Sequence, residues 1–112
     1  MDEKVTKYLL DIQLAIAEIN QALDERSREF EIFLNDFVFR KFVERNIEII
    51  GEAMNRILRI NPDIGITSAR KIVDTRNYVI HDYDYLIPEI LWAIVINHLP
   101  RLEEEVKSLI AK

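Results

Sequence analysis

Apolar residues recur at helical spacing from the first turn of the chain onwards. Their positions alternate steps of four and three residues: Val5, Leu9, Ile12, Ile16, Ile19 and Leu23. This spacing predicts one narrow apolar stripe along a first helix, of the kind that packs in a bundle with nearly parallel axes. Asp2 and Glu3 precede the stripe. Acidic side chains at this place stabilise a helix, because its N-terminus carries a partial positive charge.

Two interruptions follow this helix. Residues 24–28 are polar and carry no apolar period, so we predict a turn there, with Ser27 as the N-cap of the next helix. A new apolar face begins at residues 30–34, and Asp36 is predicted to cap a restart of the helix. We therefore expect the chain to reverse direction before a second long helix begins.

The second long helix is predicted from Phe37 to Ile60. Its apolar face is wide, which indicates burial on more than one side. Gly51 lies inside it, and we expect a neighbouring helix to approach closely there, since a mid-helix glycine otherwise only weakens the helix. Residues 61–65, which read Asn-Pro-Asp-Ile-Gly, are predicted to end it.

The rest of the chain predicts two more helices. One should run from about residue 69 to residue 81 after a cap at Thr67 or Ser68, and the other should begin at Pro88. Pro100 lies within the last helical pattern, where a proline kinks or divides a helix. The predicted fold class is all-α: an antiparallel up-and-down bundle of four main helices, with a fifth if one of them breaks.

Composition agrees with a single helical domain over residues 1–112. Two glycines and three prolines are too few for an all-β protein, and the absence of cysteine excludes disulfides and thiolate chemistry. The apolar fraction of 49% is high for so small a bundle, so we expect part of it in a homodimer interface. No signal peptide is evident, and the longest apolar run, residues 90–96, is too short to span a membrane, so we expect a cytoplasmic protein.

Residues 76–83, which read Arg-Asn-Tyr-Val-Ile-His-Asp-Tyr, concentrate reactive side chains. Arg76 carries a planar fork of donors that matches a phosphate, Asn77 donates and accepts hydrogen bonds, and His81 transfers protons near neutral pH. Together they could cleave RNA without a metal. His81 would deprotonate the 2′-hydroxyl or protonate the leaving 5′-oxygen, while Arg76 would stabilise the charge on the phosphorane.

The spacing within this segment bears on how a site could form. On an ideal helix, five residues correspond to a rotation of about 140°, so Arg76 and His81 would not share a face. Either the helix loosens near His81, or two copies of the segment meet across a dimer axis. A purely structural explanation is also open, in which Arg76 pairs with Asp74 or Asp82 and His81 caps a helix end.

The segment Arg76 to Tyr83 resembles the Arg-x4-His-x-Tyr signature of HepT-like proteins, which belong to the HEPN (higher eukaryotes and prokaryotes nucleotide-binding) superfamily. Residues 44–53 resemble the second-helix pattern of that family, and residues 88–92 and 97–102 resemble its last helix. The resemblance therefore covers nearly the whole chain. It implies a helical, homodimeric ribonuclease that acts as the toxin of a HepT/MntA toxin–antitoxin pair.

The resemblance also implies roles for single residues. Arg76 and His81 would carry RNA cleavage without a metal or another cofactor, and Asn77 would line the same cleft. The antitoxin partner would be a minimal, MntA-like nucleotidyltransferase that transfers AMP from ATP to Tyr83. The substrate would be an RNA such as tRNA or mRNA, whereas the net charge of −5 argues against binding along duplex DNA.

Two further functions remain open from the residues: a non-catalytic nucleotide-binding or docking subunit of the transferase, and a purely structural dimer. We interpret Tyr78, Tyr85 and His98 as packing residues, with a second modification at Tyr85 as the alternative. The glutamates at positions 44, 48 and 52 are interpreted as solvated or ion-paired, although Glu48 or Glu52 could instead orient the signature arginine. Those at positions 103 to 105 are interpreted as a solvated face.

Overall fold

Six helices form the regular structure of residues 1–74 and 88–112, which the computed structural model describes. They are α1 (Glu3–Arg26), α2 (Phe30–Asn35), α3 (Phe37–Ile60), α4 (described over residues 69–74), α5 (Pro88–Asn97) and α6 (Leu99–Ile110). The all-α prediction is therefore confirmed for this part of the chain. None of these helices combines the length and the apolar character that crossing a membrane requires.

The core is built on α1 and α3, which run antiparallel to each other. Near the start of α1, the Tyr8 ring lies 5.8 Å from the Arg56 guanidinium, which belongs to the last turns of α3. At the other end, the Arg26 guanidinium lies 4.7 Å from the Phe39 ring, at the start of α3. All six residues of the predicted α1 stripe are buried, so the first helix is confirmed together with its buried face.

The first turn lies later than predicted, because α1 continues through Asp24 to Arg26. Asp24 accepts a hydrogen bond from Arg28 at 3.0 Å, and such pairs four residues apart support a helix end without apolar residues. The prediction for Ser27 is wrong. Ser27 follows the end of α1, while Glu29 precedes α2 and makes no capping hydrogen bond through its side chain.

The predicted restart at Asp36 is confirmed. The Asp36 carboxylate accepts a hydrogen bond from the backbone N–H of Phe39 at 2.9 Å, and this bond, together with Arg26, lowers the pKa of Asp36. Helix α3 then extends from Phe37 to Ile60, as predicted. Gly51 is buried within α3, and the close approach of a neighbouring helix stays a prediction.

The predicted division of the last helix is also confirmed. Helix α5 ends at Asn97, α6 begins at Leu99, and Pro100 occupies the first turn of α6, where its missing N–H costs no hydrogen bond. Because the chain breaks both at Asp36 and at His98, the described residues hold six helices where four or five were expected. The up-and-down bundle and the homodimer stay predictions.

An aromatic cluster joins α2 to α3 and α5. The Phe33 ring lies 5.4 Å from the Phe39 ring and 5.1 Å from the Trp92 ring, measured between ring centroids. Phe30 completes the cluster, at 6.1 Å from Trp92. Phe33 is fully buried at the centre. The short helix α2 therefore holds the start of α5 against the core.

We expect Phe33→Ala to lower the free energy of unfolding by about 3–5 kcal/mol, because it leaves a cavity among three aromatic rings. The matched control is Phe37→Ala, since Phe37 is 61% exposed and should contribute about 1 kcal/mol or less. Urea denaturation followed by circular dichroism measures both values. Equal losses for the two variants would contradict the central role of the cluster.

Candidate functional site

The predicted site residues Arg76, Asn77, His81 and Tyr83 lie outside the described residues, as do the other residues of positions 75–87. The structure instead describes the two ends between which this segment lies. Helix α4 leads to Asp74, two positions before the signature arginine, and α5 begins at Pro88. The packing of these two ends is therefore the structural information that bears on the site.

The end that precedes the segment has one apolar and one charged face. Ala69, Ile72 and Val73 are buried in the core, as predicted for Ile72. Arg70, Lys71 and Asp74 are exposed on the same helix. Two adjacent cations, followed by one acid, thus precede the segment that is expected to meet a phosphate.

The end that follows the segment is also anchored. Leu91, Ile94 and Val95 of α5 are buried, and Trp92 stacks in the aromatic cluster. Pro88 begins α5 as predicted, with its fixed φ suited to the first helical turn. The described chain is therefore packed into the core both before residue 75 and after residue 87.

A polar contact between distant parts of the chain holds the start of α4. Glu105 of α6 accepts hydrogen bonds through Oε2 from the Thr67 backbone N–H at 3.0 Å and from Thr67 Oγ1 at 2.7 Å. Arg101 Nη2 donates to the same hydroxyl at 3.3 Å. The Thr67 hydroxyl is therefore directed to α6 instead of capping α4.

This contact corrects the interpretation of positions 103 to 105 as one solvated face. Glu104 is exposed, but Glu105 bonds to Thr67, and Glu103 accepts a hydrogen bond from Asn20 of α1 at 3.4 Å. The three consecutive glutamates read alike in sequence. Only the approach of α1 and of the turn before α4 distinguishes them.

Two of the three glutamates of α3 are ion-paired, as expected, while the alternative that Glu48 or Glu52 orients the signature arginine stays a prediction. Glu44 lies 3.6 Å from Lys41, and Glu52 lies 3.0 Å from Arg56. Glu48 also has a polar or electrostatic partner. Within residues 1–74 and 88–112, no three histidine or acidic side chains converge as a metal site would require.

Asn46 is a buried polar residue that the sequence reasoning missed. It is 2% exposed, and it alone is polar among the buried side chains of the described residues. Its Nδ2 donates to the Phe42 carbonyl at 3.1 Å, one turn earlier in α3. A signal was present in the sequence, because Asn46 lies in phase with the buried stripe that contains Val43 and Ile50.

His98 is half-buried at the junction of α5 and α6, where it precedes Leu99 without capping α6 through its side chain. Burial lowers the pKa of His98, and the positive charge of Lys71 lowers it further. Its buried neighbours in sequence, Val95 and Leu99, agree with a packing role. The link to Lys71 nevertheless places His98 close to α4.

With this geometry in hand, comparison with known proteins identifies the family. The family model described as "Ribonuclease HepT-like" matches residues 12–109, a span that includes every helix after the first turns of α1. The chain belongs to the HepT-like ribonuclease family. The resemblance that the signature segment and the two helix patterns indicated is thereby confirmed.

Curated relatives of the HepT-like chain carry matching names. A "Probable ribonuclease HepT" from Thermococcus cleftensis is 34% identical over 108 residues, which cover 91% of this chain and 92% of the relative. A "putative RNase" from Caldanaerobacter subterraneus subsp. tengcongensis is 30% identical over 84 residues, which cover 74% of this chain and 75% of the relative. A second "putative RNase", from Methanocaldococcus jannaschii, is 29% identical over 110 residues, which cover 95% of this chain and 87% of the relative. No solved structure gives a significant match.

Membership in the HepT-like family makes the chain an enzyme of the ribonuclease class, with RNA as its substrate class. The roles of the signature residues stay predictions, because these residues lie outside the described part of the chain. What the structure contributes is the anchoring of both neighbouring helices.

The lowered pKa of His98 predicts a pH-dependent stability. Below its ordinary value of 6.5 the unfolded chain binds a proton that the folded protein does not yet bind. The free energy of unfolding should therefore fall as the pH decreases through 6.5, and the loss is complete below the folded-state pKa. We expect the loss between about pH 7.5 and about pH 5.5 to be smaller in His98→Gln than in the parent.

Urea denaturation at the two pH values measures this difference. Any contribution from the other histidine is common to both proteins and cancels. An equal loss in parent and variant would show that burial and Lys71 do not act on His98 in this way.

Proposed function

We propose that Arg76 and His81 cleave RNA without a metal, in a cleft that two copies of the chain share. The family match carries this proposal, because it spans residues 12–109 and thus includes the whole signature segment. The anchored helices on both sides support it further. They are the rigid elements from which a short reactive segment can be held in position.

The proposed reaction is an attack of the 2′-oxygen on the adjacent phosphorus. A histidine removes the 2′-hydroxyl proton, the new P–O bond forms, and the P–O5′ bond breaks as the leaving oxygen takes a proton. The products are a 2′,3′-cyclic phosphate and a 5′-hydroxyl end. Arg76 stabilises the additional negative charge on the phosphorane, and Asn77 binds the substrate beside it.

Two copies of the segment would resolve the divergence of Arg76 and His81 on one helix. They would also supply two histidines, one as base and one as acid. Surface is available for such an assembly, because many large apolar side chains of the described residues are exposed: Leu10, Leu14, Ile32, Phe37, Val38, Phe42, Ile49, Ile60, Ile90 and Ile96. Exposure of this extent agrees with a subunit interface.

Local positive charge would compensate for the acidic chain. Arg70 and Lys71 are exposed shortly before the signature segment, and their two positive charges exceed the one negative charge of the exposed Asp74 between them and Arg76. Two copies would double this charge within one cleft. RNA contact would therefore be narrow and sensitive to salt.

We further propose that the protein is the toxin of a toxin–antitoxin pair, silenced by a cognate nucleotidyltransferase. The phenolic oxygen of Tyr83 would attack the α-phosphorus of ATP, releasing pyrophosphate and leaving AMP on the tyrosine. Tyr83 lies two positions after His81. An adenylyl group there adds bulk and a negative phosphate beside the position that the RNA phosphate must occupy.

We expect Arg76→Ala and His81→Ala each to abolish cleavage of total cellular RNA, because each removes a group that acts in the transition state. Arg59→Ala, which removes an exposed arginine at the end of α3, is the matched control and should cleave like the parent. Electrophoresis of the RNA measures cleavage, and phosphorylation of new 5′-hydroxyl ends by polynucleotide kinase identifies the products. Cleavage by His81→Ala at the parental rate would refute the proposed site.

Mixing the two inactive variants tests whether the site is shared. A dimer of one Arg76→Ala chain and one His81→Ala chain keeps one intact arginine and one intact histidine, on different chains. Partial recovery of cleavage after subunit exchange is expected for a shared cleft. No recovery despite proven exchange would contradict a shared cleft in which one arginine and one histidine are sufficient for cleavage.

We expect the purified protein to gain the mass of one AMP on Tyr83 when it is incubated with its proposed cognate nucleotidyltransferase, ATP and Mg²⁺. Mass spectrometry of the intact protein and of its peptides measures the gain and locates it. Tyr83→Phe should remain unmodified, with Tyr85→Phe as the matched control. Modification of Tyr83→Phe would move the site to Tyr85.

A further inference from the structure

The contact between Thr67 and Glu105 joins residues that are 38 positions apart, and it is the point where α6 holds the start of α4. One carboxylate oxygen receives both the backbone N–H and the hydroxyl of Thr67, and Arg101 binds that hydroxyl from the same helix. Hydrogen bonds to an ionised acceptor are shorter and stronger than neutral ones. The bond of 2.7 Å between the hydroxyl and Glu105 is of this kind.

The second carboxylate oxygen of Glu105 shows that the contact lowers the stability of the fold. Glu105 Oε1 is buried and has no hydrogen-bond partner among the residues that the structure describes. A buried acceptor without a partner destabilises a protein, and such groups in native structures call for an explanation other than stability. An apolar side chain at this position would avoid the cost but would release Thr67.

Polar and apolar contacts restrain α4 in different ways. The buried faces of Ile66, Ile72 and Val73 determine which side of the segment meets the core, but apolar packing has little directional preference along the helix axis. The hydrogen bonds to Glu105 are directional, and they act on Thr67, two positions before α4 begins. They therefore restrain how far α4 can shift along its axis.

Chain connectivity carries this restraint towards the signature segment. Cα atoms two residues apart are separated by at most about 7 Å, so the position of Asp74 limits where Arg76 can lie. Asp74 is the last described residue of the helix that Thr67 precedes. A shift of the start of α4 is thus transmitted to Asp74.

We propose that Glu105 is a positioning residue for RNA cleavage: through Thr67 it sets the axial position of α4, and with it the placement of Arg76 at the scissile phosphate. This inference rests on the proposed catalytic role of Arg76. Glu105 itself does not touch the substrate. Its effect on the reaction is exerted entirely through the turn that begins α4.

The chain offers a matched pair of glutamates for the test. Glu105→Ala removes both hydrogen bonds to Thr67. Glu104→Ala removes a glutamate side chain from the preceding position, where it is exposed. Cleavage of a fluorescent RNA oligonucleotide gives kcat and KM for each, at a temperature at which circular dichroism shows both to be folded. We expect Glu105→Ala to lower kcat about 10- to 100-fold with little change in KM, and Glu104→Ala to match the parent.

Variants of Thr67 test the same contact from its other side. Thr67→Val removes the hydroxyl and should lower kcat, while Thr67→Ser keeps the hydroxyl and should restore it. The double variant Glu105→Ala with Thr67→Val should be no slower than Glu105→Ala alone, because both act through one contact. If Glu105→Ala does not fold, the comparison of the valine and serine variants decides the proposal.

The outcomes separate this inference from the proposed function. A folded Glu105→Ala that keeps the parental kcat, beside an inactive His81→Ala, would overturn the positioning role alone. If Glu105→Ala keeps the parental kcat but unfolds at a lower temperature than the parent, Glu105 has a purely structural role and the positioning role is overturned. Parental cleavage by His81→Ala would instead overturn the proposed site, and the positioning role with it.

Discussion

The packing of α1 against α3 is the constraint on which the other elements depend. Each helix has 24 residues and lays a continuous apolar stripe against the other. Each fully buried side chain of this kind contributes about 1.5–3 kcal/mol, which must offset the entropy lost on ordering two long helices. The shorter helices have too little apolar surface to be stable alone and are ordered by contact with this pair or with each other.

Those dependent helices include the two that stand before and after the signature segment in the chain. Helix α2 is only six residues long, yet its Phe33 joins α3 to Trp92 and so fixes the start of α5. Helix α6 packs on α1 and, through Glu105, restrains the start of α4. The signature segment of a HepT-like ribonuclease thus lies between two helices whose positions are set by contacts far from it in sequence. This arrangement separates the residues that stabilise the fold from those expected to react.

The charge distribution follows the same division. The net charge is −5, and the ion pairs of α1 and α3 are exposed, so each contributes little to stability. A local excess of positive charge is instead found at Arg70 and Lys71, which precede the signature arginine with one exposed acid, Asp74, in between. An enzyme that binds a phosphodiester through a small cleft needs only such local charge, whereas long-range attraction to nucleic acid would need a basic surface.

Sequence alone determined the helical class, the bounds of α3, the restart at Asp36 and the division at Pro100. These features depend on local spacing, capping and the missing N–H of proline, all of which are encoded within a few residues. Sequence also indicated the HepT-like family, because residues 76–83 match the signature of that family by residue type and spacing alone. It placed the end of α1 too early, because residues 24–26 are helical although they carry no apolar period.

Only the tertiary structure decided the different roles of Glu103, Glu104 and Glu105, and the burial of Asn46. Three adjacent glutamates have the same local propensity, so their environments depend on which distant element approaches each of them. The same holds for Thr67, whose hydroxyl could cap its own helix but bonds to α6 instead. Contacts between residues far apart in sequence have no local signature, because they exist only once the helices have packed.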